Sequence, residues 1–498
     1  MMQMTTLANG LRVASRPMTS VETVAVGLYA PTGSRHEEGR INGIAHLFEH
    51  MVFKGAGGRS ARQISELIED VGGDLNASTD RELTAFYASL LAPDLALGVR
   101  LLSDLVRRPH FEPQHLELEK NVVLQELAEA RDTASDIVFD NLQEAAFPGQ
   151  PLGSPVLGSE ATIAAVTVED LHDWLRTQYA PEGLVLVAAG KLEHEALVDL
   201  AEEAFGDMAG GNAVPAEPAR FIGGQRFERR KGDQAHIAVA MPAPAWGADD
   251  AHASQLFADS VGGGSSSRLF QQLREEQGLA YSVSAGAQNF SDCGMLWAYV
   301  AAHRGNAERV HHEIERVLAE AALNIQQRDV ERARALAKAG MMMSLESCWG
   351  QASYLATRLL RDGRLVEPHE IVERLDRVTL DEVRDSGARM LGGPRALSSV
   401  GAKLALAHQP RRQIARLPPA AFEAHHHPRL GEVARAIEVA LLEPRRGLGD
   451  DPLDLAVDQP GVGAVARDIA PEHARIGVIL CPRRDRIGQS LLLAQLLE

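Results

Sequence analysis

Two successive stretches of this chain, each about 200 residues long, run through hydrophobic patterns in the same order. In residues 1–208, Leu11 to Ala14 and Thr23 to Tyr29 alternate or run apolar over strand length. Helical periodicity starts near Ile44, and alternation returns from Thr79 to Leu90. Helical stretches then cover about 93–106, 113–132 and 135–146. An apolar strand, Leu184 to Ala189, and a helix at 193–205 close the unit. The second stretch opens with the strand-like HIAVAMP (236–242) and a helix near 250–261. The run GGGSSSRLFQQLREEQG, the alternating YSVSAGAQNF and MLWAYVAA, and two long helical segments follow, before the strand-like ALSSVGAKLAL (397–407). The repeat is one of pattern and not of residue identity. Long helices beside mostly hairpin-connected strands predict an α+β fold duplicated within the chain.

Boundaries follow from composition. With 498 residues the chain exceeds one compact core. Residues 209–220, AGGNAVPAEPAR, are rich in Gly, Pro and Ala without periodicity and read as a linker between domains 1–208 and 221–417. Residues 418–498 break the pattern: they hold eight of the 24 prolines and only short helical stretches, and read as a tail of unassigned role. Their triplet His425-His426-His427 reads as an exposed polar loop. The formal net charge of −18 argues against nucleic acid, because phosphate binding needs a basic surface. Cys293, Cys348 and Cys481 are too widely spaced for a zinc knuckle or a disulfide framework. No run approaches the roughly 18 apolar residues of a membrane span, so no membrane partner is expected. The start MMQMTTLANGLRV lacks the basic and apolar regions of a secretion signal, and a cytoplasmic setting is the expectation.

The chemistry concentrates in His46-Leu47-Phe48-Glu49-His50. On a helix, His46 and His50 lie one turn apart on one face and reach a single metal, with Glu49 flanking that face. Two neutral imidazoles and a carboxylate leave one tetrahedral position of a zinc ion open to water. Zinc lowers the pKa of that water toward ~7, and a nearby unligated carboxylate takes its proton. The motif alone also fits a surface helix with two exposed histidines, so a third ligand is required. The helix at 113–132 offers Glu119 and Glu126, seven residues and two turns apart on one face. The other reading of that face is a solvated acidic stripe.

With these residues in place, the chain resembles the pitrilysin and mitochondrial-processing-peptidase family, the inverzincins. HLFEHMVFKG resembles the family signature, and Glu126 lies 76 residues beyond His50, the family spacing for the third ligand. The resemblance covers about residues 5–416 and implies one zinc per chain held by His46, His50 and Glu126. Glu49 is then the general base, and Glu119 an acid that supports the site. GGDLNASTDRELTAFYA resembles the family's edge strand, where Asn76 and Ala77 would pair with substrate backbone. Phe53 would line the pocket for the residue after the cleaved bond. SSRLFQQLREEQGLAYSVSA carries the family's Arg274 and Tyr281 pair, the tyrosine placed to donate to the developing oxyanion. Asp136 and Asp140, at i and i+4 in DTASDIVFDNLQEA, match acidic positions that hold an arginine just before the cleavage site in the processing-peptidase branch. Thr133-x-x-Asp136 also reads as a capping box.

The resemblance further implies two homologous domains, each a mostly antiparallel sheet of about six strands packed with helices, facing each other around a chamber. A homodimer, or a heterodimer with a related subunit, would complete that chamber. The implied reaction is zinc-dependent hydrolysis of internal bonds in extended peptides. The alternative is a non-catalytic partner or assembly subunit of the same fold with a structural zinc, against which the retained Glu49 stands.

Overall fold

Residues 1–211 and 215–401 are described by the computed structural model, so the expected tail 418–498 and residues 402–417 lie outside the described residues. The first half contributes β1 (Gln3–Thr6), β2 (Arg12–Pro17), β3 (Thr23–Ala30), β4 (Gly55–Ala56), β5 (Arg59–Ser60), β6 (Asp74–Thr79), β7 (Thr84–Leu91) and β8 (Val185–Gly190). Its helices are α1 (Ile44–Val52), α2 (Ala61–Glu69), α3 (Leu95–Arg107), α4 (Pro113–Asp132), α5 (Ala134–Ala146), α6 (Glu160–Ala165), α7 (Val168–Gln178) and α8 (His194–Phe205). The second half contributes β9 (Gly224–Arg229), β10 (Gln234–Ala243), β11 (Ala280–Asn289), β12 (Gly294–His303) and β13 (Ala396–Gly401). Its helices are α9 (Ala251–Gly262), α10 (Ala307–Asn324), α11 (Gln327–Ser344), α12 (Cys348–Asp362), α13 (Pro368–Arg377) and α14 (Leu380–Gly392).

The repeat anticipated from pattern holds strand by strand. The first sheet runs β1-β2-β8-β3-β7-β6 and the second β11-β12-β10-β13-β9. Read from the other edge, the second order matches β2-β8-β3-β7-β6. Even the strand directions agree: β2 and β8 are parallel, as are β9 and β13, and the other pairs of the two series are antiparallel. β1 and the two-stranded pair β4–β5 have no counterpart among the described residues. Strands β1 and β9 gave no pattern because most of their side chains are exposed. The long alternation from Thr79 to Leu90 is in fact the end of β6, a turn and β7. The polar run Asp80-Arg81-Glu82 makes the turn, and the Asp80 amide donates to the Leu83 carbonyl at 2.7 Å. The linker read at 209–220 is described except for 212–214, and joins β9 to the first half.

Each half also lends a helix to the other. Ala85, Val185, Val187 and Ala189 of the first sheet pack against Ala352, Leu355, Ala356 and Leu359 of α12. In return, Val138, Leu142, Ala145 and Ala146 of α5 pack against Ala238, Ala240, Trp297 and Tyr299 of the second sheet. The opposite faces carry their own half's helices: Leu186 and Ala188 join Phe48 and Leu102, while Ile237 and Val239 join Leu256 and Phe257. Burial of both faces explains why Leu184 to Ala189 is apolar without alternating. Among the described residues, no helix is long and apolar enough to cross a membrane.

Candidate metal centre

Helix α1 is nine residues long and buried except at His50, the composition of a helix enclosed by its own core. Phe48 anchors it, stacked on Tyr179 at 4.9 Å and edge-on to Phe86 and Phe111. Its N-cap Gly43 has φ 96°, and a Cβ there would press on the Leu157 carbonyl and the Gly158 backbone, so glycine is required. With Phe48 held inward, His46 and His50 emerge on the side facing α4, their ring centroids 4.7 Å apart. Helix α4 starts with Pro113 at its first turn and buries Leu116, Glu119, Val123 and Leu127. Glu119 therefore lies in the apolar stripe of α4, and Glu126 stands beside it at the edge, its side chain 26% exposed.

One carboxylate oxygen of Glu126 lies 3.6 Å from Nε2 of His46 and 3.6 Å from Nε2 of His50. These three residues are the group, among the described residues, whose ligand atoms gather closely enough to hold a metal, all within 4.8 Å. Tetrahedral zinc with N and O ligands at about 2.0–2.2 Å sets its ligands roughly 3.3–3.5 Å apart, so the donor spacing and the His-His-Glu chemistry fit that ion. Of the two α4 acids between which helical spacing alone does not choose, Glu126 gathers with the imidazoles and Glu119 lies behind them. Glu119 Oε2 is 3.1 Å from His50 Nδ1, which directs Nε2 of that ring toward Glu126. Its Oε1 accepts from Lys54 Nζ at 2.8 Å. Burial pushes the Glu119 carboxyl up, but the hydrogen bonds from His50 and Lys54 and their charges outweigh it and hold the group below its ordinary value. Lys54 was missed in the sequence because a lysine one turn beyond a motif has no pattern of its own.

Glu49 is 5% exposed and lies between the two histidines in sequence, outside the metal group. It is close enough to Tyr179 for its charge to add to the effect of burial in pushing that phenol above its usual range. Phe53 caps the C-terminus of α1 and packs against the first core. Asn76 and Ala77 lie on β6, whose single neighbour in the sheet is β7, so its outer edge is unpaired among the described residues. The remaining candidates lie on elements other than α1 and α4. Arg274 lies in a π-helical stretch, Phe270–Glu276, with its guanidinium over Phe270 at 4.9 Å. Tyr281, at the start of the edge strand β11, is 55% exposed. Asp140 faces Arg81 at 3.5 Å, and Asp136 is raised above its ordinary value by burial and by the nearby charge of Asp140. The capping box read at Thr133 is absent: its hydroxyl instead donates to the Glu129 carbonyl at 3.2 Å.

This architecture, a duplicated α+β unit with an inverted histidine motif on a buried helix, is a zinc-peptidase arrangement that family comparison places more closely. Residues 12–160 match the model of the insulinase domain, peptidase family M16, and residues 165–336 match the M16 inactive domain. An uncharacterized zinc protease of Mycobacterium leprae is 33% identical over 420 residues, covering 82% of this chain and 94% of that protein. The uncharacterized zinc protease YmxG of Bacillus subtilis is 32% identical over 397 residues, 79% of this chain and 97% of its own. The fold is similar to a protease from Helicobacter pylori, with a TM-score of 0.75 at 18% identity over 80% of this chain and 99% of that one. The chain belongs to the M16 peptidase family.

Proposed function

We propose that the chain is a zinc-dependent endopeptidase that hydrolyses internal bonds of extended peptides. The observation that carries this reading is the triangle of His46, His50 and Glu126, with a further carboxylate, Glu49, on the same helix and outside it. Bound zinc would supply Lewis acidity, polarising the scissile carbonyl and lowering the pKa of water. His46, His50 and Glu126 hold it, and Glu119 fixes the tautomer and direction of His50. Glu49 takes the proton of the attacking water and returns it to the leaving amine. The free edge of β6 receives the substrate backbone as an added strand, a mode indifferent to most side chains. Phe53, at the C-terminal end of α1, would line the pocket for the residue after the cleaved bond, and Tyr281, with Arg274, would be the donor for the oxyanion. Asp136 and Asp140 would hold an arginine before the cleaved bond, the incoming guanidinium replacing Arg81. A second copy or a related subunit would close the chamber over this face, and the setting is the cytoplasm.

The test is Glu49→Gln. The variant should retain zinc while peptide turnover falls ~10²–10⁴-fold, because an amide cannot accept the proton. Turnover within threefold of the parent at equal zinc content would exclude Glu49 as the base.

A further inference from the structure

Helix α1 lacks a local cap. Gly43 has no side chain to offer, whereas α2, α6, α7 and α14 each begin with a Ser or Thr that accepts an amide three residues on. The amides at the start of α1 that have no acceptor within the helix are instead taken by Glu37, from outside it. Its Oε2 accepts from the Gly43 amide at 2.8 Å and from Asn42 Nδ2 at 2.6 Å, and its Oε1 accepts from the Ala45 amide at 2.8 Å. The carboxylate is 5% exposed. Asn42 is held in turn by the Pro155 carbonyl at 3.1 Å.

The segment that carries Glu37 is anchored on its other side as well. Arg35, two residues earlier and 2% exposed, donates to Glu82 in the β6–β7 turn and to the Glu217 carbonyl in the linker. It also donates to Ser291 and Asp292 between β11 and β12. The backbone of Ser34 and Arg35 adds bonds to the Asp80 and Arg81 carbonyls at 3.2 and 2.9 Å. Glu37 thus joins a cross-braced loop to the one turn of α1 that contains His46.

We propose that Glu37 is a positioning residue for the metal centre: by bridging the amides of Gly43 and Ala45, it fixes the first turn of α1 and with it His46. This rests on the reading of His46 as a zinc ligand. The physical argument is that an uncapped first turn frays, since its amides have no partner within the helix. His50 lies one turn further in, is oriented separately by Glu119, and would keep its place. Loss of Glu37 therefore acts through His46 on metal retention and not on substrate binding along β6. No pattern pointed to Glu37, because its partners lie six and eight residues on, beyond the three-residue spacing of a capping box.

The experiment uses the full-length chain with Glu37→Gln, which keeps shape but leaves one oxygen for two amides. Zinc affinity is measured by chelator competition, and ligand geometry by the visible spectrum of the cobalt(II)-substituted protein. The expected result is ~10–100-fold weaker zinc binding, the range for residues that orient a ligand. A changed cobalt spectrum and a KM within twofold of the parent should accompany it. A purely structural role would lower the thermal midpoint of the metal-free protein and leave the cobalt spectrum as it was. Zinc affinity and spectrum both matching the parent would overturn the proposal. If Glu37→Gln does not fold, Glu37→Asp keeps the charge but shortens the side chain so that it no longer spans the Gly43 and Ala45 amides, and it carries the same test, with unchanged zinc affinity again overturning the proposal. A parent without peptidase activity whose Glu37→Gln variant still loses zinc would refute the proposed function and leave this inference standing.

Discussion

Glu119→Gln is the perturbation whose consequence follows most directly from the geometry. The wild-type carboxylate accepts two hydrogen bonds, from His50 Nδ1 at 3.1 Å and from Lys54 Nζ at 2.8 Å. A glutamine in the same place has one acceptor. If its oxygen faces His50, its NH₂ group meets the Lys54 ammonium, donor against donor. If it turns over, the NH₂ group meets the His50 N–H and the ring loses the contact that directs Nε2 toward Glu126. Either arrangement forfeits one charge-assisted bond at a 5% exposed position, where water cannot replace it. Residues that orient a metal ligand in this way are worth about 10–100-fold in metal affinity, or about 1.4–2.8 kcal/mol. The assay is zinc titration against a chelator of known affinity at fixed neutral pH, with Lys54→Met measured beside it. Lys54→Met should lose less, since the bond to His50 survives. A Glu119→Gln dissociation constant within twofold of the parent would show that His50 is oriented by packing alone, and the reasoning would fail.

Two further outcomes follow from the packing. Leu142→Ala removes a fully buried side chain between α5 and the second sheet, and should cost about 2–5 kcal/mol in denaturant unfolding; a loss below about 1 kcal/mol would mean that the exchanged helix does not tie the halves together. Burial first, then the charges of Arg374 and Arg358, depress the His252 imidazole in α9 from 6.5 to about 4. The unfolded chain therefore takes up a proton below pH 6.5 that the folded chain resists, and stability is lost as pH falls from about 6.5 toward 4, by up to about 2–3 kcal/mol. In His252→Gln that acid loss should shrink, and pH–stability curves that run parallel for the two proteins would refute the assignment.

Much of the metal centre was legible because its parts are local or helical. His46, Glu49 and His50 fall within five residues, and a helix determines their relative directions. Glu119 and Glu126 share a helix face by the same periodicity, but spacing could not say which one meets the imidazoles. Packing decided: Glu119 lies in the buried stripe of α4, behind the rings, and Glu126 at its rim. The capping-box reading of Thr133 failed for a related reason. A side chain that fits a local motif took the carbonyl of the preceding helix instead.

The sequence by itself determined the duplication, the α+β class and the motif helix, since each rests on short-range hydrophobic period or on contiguous residues. Only the tertiary structure decided which surfaces those elements share. The exchange of α5 and α12 between the sheets was invisible, because an apolar helix face carries no address and packs wherever a complementary sheet face is left uncovered. The support of α1 by Glu37, the bracing by Arg35 and the link from Lys54 to Glu119 were hidden likewise. Arg35, for example, finds Asp292 at a separation of 257 residues. Buried polar groups must find partners wherever the fold brings them, and that demand leaves no periodic trace in the chain.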